Sequence, residues 1–258
     1  MAATTDQPKT IGAGWISVAS MLSLLLIWQI VAMVVAAPTL PTPLTVFAFI
    51  GDELRNGSML FHLGMTLWRV VAAFLIAMFI GCAIGLYLGI SRSADRFFDP
   101  WLVLLLNIPA LVVIVLAYVW IGLTEAAAIG AVAINKIPNV IVTIREGAKS
   151  LNPEYGEVAD VFQLSRFDRF WHVVLPQLQP FVAAATRSGV ALIWKIVLVV
   201  ELLGRSNGVG FQINLYFQLF DVAAILGYTL VFVLIMLLVE LLVLQPFERR
   251  ATRWRTNV

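Results

Sequence analysis

The side chains of this chain that could do chemistry fall into two groups. The first is a set of polar residues inside hydrophobic runs: Asn135 and Lys136 in one, and Arg187, Trp194, Lys195 and Glu201 in another. A charge in hydrocarbon costs about 3 kcal/mol or more, so it is kept for a reason. At about 1.5 Å per residue, Lys136 lies about 16 Å and Lys195 about 12 Å from the outer ends of their runs, similar depths that fit a shared cavity. Two cations there would favour a small anion. The competing reading pairs them structurally with Glu201, Glu125 or backbone carbonyls. The seven-residue spacing of Arg187, Trp194 and Glu201 equally fits a salt-bridge and packing seam between helices.

The second group is the polar segment EVADVFQLSRFDRFWHVVLP, from Glu157 to Pro176, whose residue types suit recognition. Just before it, Asn152, Pro153 and Glu154 supply an N-cap, a first-turn proline and an acidic first turn, which predicts a helix from there to about Leu164. Ser165 and Asp168 form a capping box, and Phe167, Phe170, Trp171 and Val174 follow at helical spacing, so a second amphipathic helix is expected, ended by Pro176. Two short helices with aromatic faces suit a groove on a soluble protein. An interfacial helix lying on lipid is the alternative.

Catalysis and metal binding find no support. His62 and His172 are far apart and read as surface or interfacial residues, and there is no HExxH or CxxC pattern. Cys82 is alone, which rules out an internal disulfide. A GxxxxGK[ST] loop is absent, as is any Gly-Lys dipeptide, so the chain does not hold ATP by that motif.

The elements that position these residues follow from composition. The 258 residues are 61% hydrophobic and 12% charged, against roughly a quarter charged in a soluble domain. An all-α integral membrane protein is expected. Six runs are long enough to cross the bilayer, near 15–37, 65–90, 101–122, 125–144, 178–203 and 222–245. The first ends at Val35-Ala36-Ala37-Pro38, which loosely resembles a cleavage site, but its apolar core is too long for a signal peptide. With both termini cytoplasmic, the inside segments carry Lys9, Arg92, Arg96, Arg145, Lys149, Arg166, Arg169, Arg249, Arg250, Arg253 and Arg255. The outside loops carry only Arg55 and Arg205, and Arg69, Lys136, Arg187 and Lys195 lie within spans. That asymmetry sets the orientation. The segments expected are then a cytoplasmic 1–14, a first span 15–37, a core at 60–246 with the paired helices at about 152–175, and a basic tail 247–258 that anchors on anionic lipid. Gly81, Gly85 and Gly89 form a doubled GxxxG register, read as helix packing within the subunit.

Glu157-Val158-Ala159, Gln163, Val173 and Leu175-Pro176 resemble, with the same spacing throughout, the EAA loop of permease subunits of bacterial ATP-binding-cassette importers. Three identities depart: Val158 replaces Ala, Val173 replaces Ile, and Gln163 stands where the family has Gly. A Gln would pay about 1 to 2 kcal/mol to adopt the left-handed turn that Gly supports there. The resemblance covers about residues 60 to 255. It includes Thr66-Leu67-Trp68-Arg69-Val70, Leu88-Gly89-Ile90-Ser91-Arg92, Asp99-Pro100, Ile108-Pro109-Ala110, Trp120-Ile121-Gly122 and Glu201-Leu202-Leu203-Gly204, which look like permeases for nitrate, sulfonate, taurine and bicarbonate.

The resemblance implies a five-helix importer core preceded by one extra span, in a bacterial cytoplasmic membrane. It implies a homodimer, two ATP-binding subunits that hold ATP and Mg, an extracytoplasmic solute-binding protein and surrounding membrane lipid, with no nucleic acid and no cofactor in this chain. Glu157, Val158, Ala159, Gln163, Phe167, Phe170, Trp171, Leu175 and Pro176 would couple to the ATPases, with Glu157 the foremost polar contact. Asn135, Lys136, Trp194, Lys195 and Glu201 are the candidates for the translocation pathway. Family members also carry neutral or aromatic vitamin precursors, so the solute class stays open. A free-standing secondary transporter or channel is the rival from another class, although no repeated halves with broken helices are visible.

Overall fold

The computed structural model describes residues 12–37 and 39–252. Lys9, Pro38, Arg253 and Arg255, on which parts of the orientation and anchoring expectations rest, lie outside the described residues. Among the described residues twelve α-helices occur in the order α1 (Gly12–Val35), α2 (Pro43–Asn56), α3 (Met59–Ile90), α4 (Arg92–Asn107), α5 (Ala110–Ile121), α6 (Glu125–Lys149), α7 (Pro153–Val161), α8 (Arg166–Arg169), α9 (Leu175–Gly204), α10 (Val209–Gln218), α11 (Val222–Val239) and α12 (Gln245–Thr252). Two π-helical turns, Phe170–Val174 and Glu240–Leu244, join α8 to α9 and α11 to α12. No strand occurs among the described residues.

Four helices are long and apolar enough to cross a membrane: Met59–Ile90, Glu125–Lys149, Arg166–Gly204 and Val222–Glu248. The pair α4 and α5 makes a fifth only if counted together, and α1 is apolar over the shorter stretch Ala19–Val35. The described residues thus give four or five spans where the sequence suggested six.

The third expected span, 101–122, is not one rod. It breaks between α4 and α5 with a bend of 92°. Pro109 has no N–H to continue α4 and forces Ile108 into an extended conformation (φ −72°, ψ 123°). Two further helices were not expected. Helix α2 starts where Thr42 Oγ1 accepts from Thr45 N with Pro43 in the first turn, and Tyr228 Oη of α11 donates to Glu53 Oε1 of α2 at 2.8 Å. Helix α10 returns beside the ends of α3 and α9, with Val209 fully buried.

The glycine register does what the sequence suggested within the subunit. A Cβ on Gly81 would stand 2.6 Å from Val140 Cβ, one on Gly85 2.8 Å from the Ile141 carbonyl, and one on Gly89 2.4 Å from Ala148 Cβ. All three neighbours belong to α6, so bare glycines let α3 and α6 touch backbone to backbone. Around this pair, Val70, Ala73, Ile114, Ala128, Val132, Ile193 and Val197 pack α3, α5, α6 and α9 together. A second cluster of Met59, Leu63, Val190, Val209, Tyr228 and Phe232 packs α3 and α9 against α10 and α11. Trp194 borders both and meets Phe232 edge-on at 5.7 Å.

Candidate functional site

At one end of the bundle α7 and α8 form a small folded module. Asn152 Oδ1 accepts from Glu154 N at 3.0 Å, and Asn152 N donates to Gln177 Oε1 at 2.9 Å, which fastens the start of α7 to the base of α9. The helix stops sooner than expected, at Val161, in a Schellman turn: Gln163 N donates to the Asp160 carbonyl and Leu164 N to the Ala159 carbonyl. Gln163 occupies the left-handed position with φ 50°. The turn shape associated with Gly is kept, and the backbone bonds of the Schellman turn hold the glutamine there. Ser165 caps α8 as expected, accepting from Asp168 N at 3.1 Å and donating to Asp168 Oδ2 at 2.6 Å. Arg169 then bridges back to Asp160 at 2.7 Å, tying the two helices to each other.

Pro176 does not end the second helix. Helices α8 and α9 run continuously through the Phe170–Val174 π turn as Arg166–Gly204. A proline clashes with the carbonyl four residues back in an α-helix and offers no N–H. One extra residue in the turn moves that carbonyl away, and Leu175 N reaches the Phe170 carbonyl instead. The same device precedes Pro246, after the Glu240–Leu244 turn.

The module turns its apolar side chains outward. Val161 is 80% exposed, Phe162 73% and Phe167 70%, with Val158 and Trp171 also exposed. Ala159 is buried and Phe170, Leu175 and Pro176 are half-buried. Glu157 is exposed and lines a cleft with Asp160, Arg169 and Gln177.

A buried charged clamp occupies the opposite end. Glu201, fully buried, accepts from Arg69 Nη1 at 2.6 Å, Thr66 Oγ1 at 2.9 Å and Gly210 N at 2.9 Å. Arg69 also makes a forked contact to Glu125, through Nε at 2.9 Å and Nη2 at 2.7 Å, and reaches both the carbonyl and side-chain oxygen of Asn207. Arg205 pairs with Glu125 as well. His62 is buried here, against the expectation of a surface or interfacial residue, because the 205–208 loop and α10 cover the first turns of α3. Its Nδ1 accepts from Gly208 N at 3.0 Å, which leaves the ring proton on Nε2. The Gln212 side-chain amide lies 2.6 Å away and must present its oxygen to that proton.

Sequence reasoning found Glu201 but not Arg69 as its partner. The usable signal was that Thr66, Arg69 and Glu201 all sit in polar breaks of apolar runs at matching depth. The seam reading of the seven-residue stripe fits the contacts: Arg187 pairs with Glu240 at 3.2 Å and Glu248 at 2.7 Å, Trp194 meets Phe232 and Glu201 meets Arg69.

The remaining pathway candidates are spread out. Lys136 is 2% exposed, and its Cε lies 3.4 Å from where a Cβ on Gly189 of α9 would stand, in a spot also walled by Phe74. It makes no hydrogen bond or ion pair among the described residues. Asn135 beside it is half-buried. Lys195 is exposed, with its Nζ 5.5 Å from the centre of the Trp194 ring. Lys136 is thus buried against α9, while Lys195 is exposed beside Trp194.

The chain is a multi-pass helical bundle with a buried charged clamp at one end and an exposed folded module at the other. Residues 77–245 match the family described as binding-protein-dependent transport system inner membrane component, and the chain belongs to that family. It is thus a multi-pass inner-membrane permease subunit. Among its relatives is SsuC of Bacillus subtilis (strain 168), a permease protein named for aliphatic sulfonates transport, 28% identical over 90% of this chain and 84% of that protein. The taurine transport system permease protein TauC of Escherichia coli (strain K12) is 25% identical over 94% of this chain and 90% of its own. The nitrate import permease protein NrtB of Synechococcus elongatus is 27% identical over 73% of this chain and 71% of its own. The fold is also that of the crystal structure of an amino acid ABC transporter with histidines, at TM-score 0.61 and 20% identity, covering 74% of this chain and 93% of that one.

Proposed function

We propose that this chain is the permease of an ATP-driven importer that takes up a small organic or inorganic anion handed over by a solute-binding protein. Two copies form the pore, each gripped by an ATP-binding subunit, and both termini of a six-span chain face the cytoplasm. The observation that carries this reading is the module at 153–175: a capped, cross-braced pair of helices outside the apolar bundle, with Val161, Phe162 and Phe167 directed outward. An apolar face held this rigidly in water fits a groove on a soluble partner. Glu157 at its edge supplies the polar contact. When the ATPases close, they move the module, and the continuous Arg166–Gly204 rod carries that motion across the membrane.

The anionic solute is supported by Lys136, a buried cation with no partner of its own among the described residues. The sulfonate, taurine and nitrate relatives favour the same class. Co-purification with the ATPase from native membranes, followed by uptake into vesicles, tests the reading. Phe162→Asp combined with Phe167→Asp is expected to lose the ATPase while the permease itself remains folded. Glu157→Arg is expected to uncouple ATP hydrolysis from uptake while the dimer stays intact. Uptake by the isolated chain without any ATPase would overturn the importer in favour of a secondary transporter.

A further inference from the structure

Where α3 ends and α4 begins, the chain forms a cleft of about 450 Å³ lined by Leu88, Ile90, Arg92, Asp95, Arg96 and Lys149. Neighbouring cations of this end of the bundle are paired. Arg145 binds Asp95 at 3.0 Å and Asp99 at 2.7 Å, Lys149 binds Asp95 at 2.8 Å, and Arg169 binds Asp160. Asp95, the sole acid in the cleft wall, is thus already neutralised by two cations. Arg92 and Arg96, one helical turn apart on α4, make no ion pair or hydrogen bond among the described residues, and both are exposed. The cleft therefore carries an unspent positive charge.

The cleft has an apolar wall as well. Leu88 and Ile90 line it, and Ile90 is 65% exposed. Two free guanidinium groups beside an exposed aliphatic side chain match a ligand with an anionic head and a hydrocarbon tail. A soluble anion would use the first and leave the second idle.

We propose that this cleft holds the headgroup phosphate of an anionic phospholipid from the adjacent leaflet, with Arg92 and Arg96 as its two donors and an acyl chain leaving past Ile90. The leaflet is the cytoplasmic one if the orientation proposed above holds. The lipid would brace the α3–α4 corner, where Arg145 and Lys149 of α6 already converge.

Native mass spectrometry of the full-length chain in detergent, titrated with phosphatidylglycerol and separately with phosphatidylcholine, tests this. The wild type is expected to retain phosphatidylglycerol preferentially. In the double variant Arg92→Gln with Arg96→Gln, phosphatidylglycerol should bind about thirtyfold more weakly, from two lost charge contacts, with phosphatidylcholine unchanged. Arg166→Gln, which removes an exposed arginine outside the cleft, should leave both untouched. Equal retention of phosphatidylglycerol by wild type and double variant overturns the site. Stabilisation of the wild type by inorganic phosphate alone, lost in the double variant, overturns the lipid in favour of a soluble anion. Orientation is read separately: Ser93→Cys in a Cys82→Ser background, exposed to a membrane-impermeant maleimide on one side of sealed vesicles, reports which face the cleft occupies. Labelling from the outer side corrects the leaflet and leaves the lipid comparison standing.

Discussion

Replacing Glu201 by alanine is the sharpest test of the clamp. The side chain is fully buried, its partner Arg69 is 1% exposed, and their N–O distance is 2.6 Å. Removing one member of a buried pair leaves the other charge without compensation, at a loss of about 3 to 5 kcal/mol. Gly210 N loses its acceptor as well, while Thr66 Oγ1 keeps the His62 carbonyl. Glu125 still holds Arg69 through two hydrogen bonds, which places Glu201→Ala near the lower end of that range. For a chain of this size about 3 kcal/mol lowers Tm by about 6 to 12 °C. Thermal unfolding of the detergent-solubilised chain, followed by tryptophan fluorescence or by loss of monodispersity, reads the change. The double variant Arg69→Met with Glu201→Met removes both charges together and should regain a large part of the loss, because two apolar side chains leave no isolated ion. A Glu201→Ala variant within about 2 °C of wild type, or a double variant whose loss equals the sum of the two single losses, would refute the argument that the pair acts as one buried unit.

Three further outcomes are expected. Gly85→Ala should destabilise the chain by about 1 to 3 kcal/mol, because its Cβ would stand 2.8 Å from the Ile141 backbone carbonyl, whereas Gly64→Ala on the same helix meets nothing within 4 Å and should be neutral or mildly stabilising; paired Tm measurements decide it. Gln163→Gly should stabilise the left-handed turn by about 1 kcal/mol, read as slower proteolysis around residues 161–165, and no change in cleavage would show that the turn is unstrained. Lys136→Met should sharply reduce uptake of an anionic solute while leaving ATPase binding intact, and unchanged uptake would remove Lys136 from the pathway.

Much of the module was legible because its signals are local. Asn152 and Ser165 each accept from a backbone N–H two or three residues on, Asp168 takes the Ser165 hydroxyl, and Pro153 acts through its own backbone, so their types and spacing suffice. The glycine register of α3 was legible for a similar reason, since only close approach explains three small residues one turn apart. The clamp was not. Arg69 and Glu201 are 132 residues apart, and nothing local says which buried charge meets which. The broken third span was hidden because hydropathy averages across Pro109, although proline chemistry at that position is local. Pro176 misled in the opposite direction: read alone it stops a helix, but a π turn supplies the room it needs.

That π turn also sets an angle. An α-helix advances about 100° per residue, and a π turn holds one residue more than the α-helical path between the same ends. The face of α8 that carries Phe167 is therefore offset by about one residue's rotation from where an unbroken α-helix would aim it, relative to Arg187, Trp194 and Glu201 in the bilayer. Deleting a single residue from Phe170–Val174 would keep the rod continuous and every charged contact of the clamp in place, yet point the module to a different compass bearing around the shaft. The turn works as a keyway: it fixes the heading of the module's exposed face relative to the bundle that carries it.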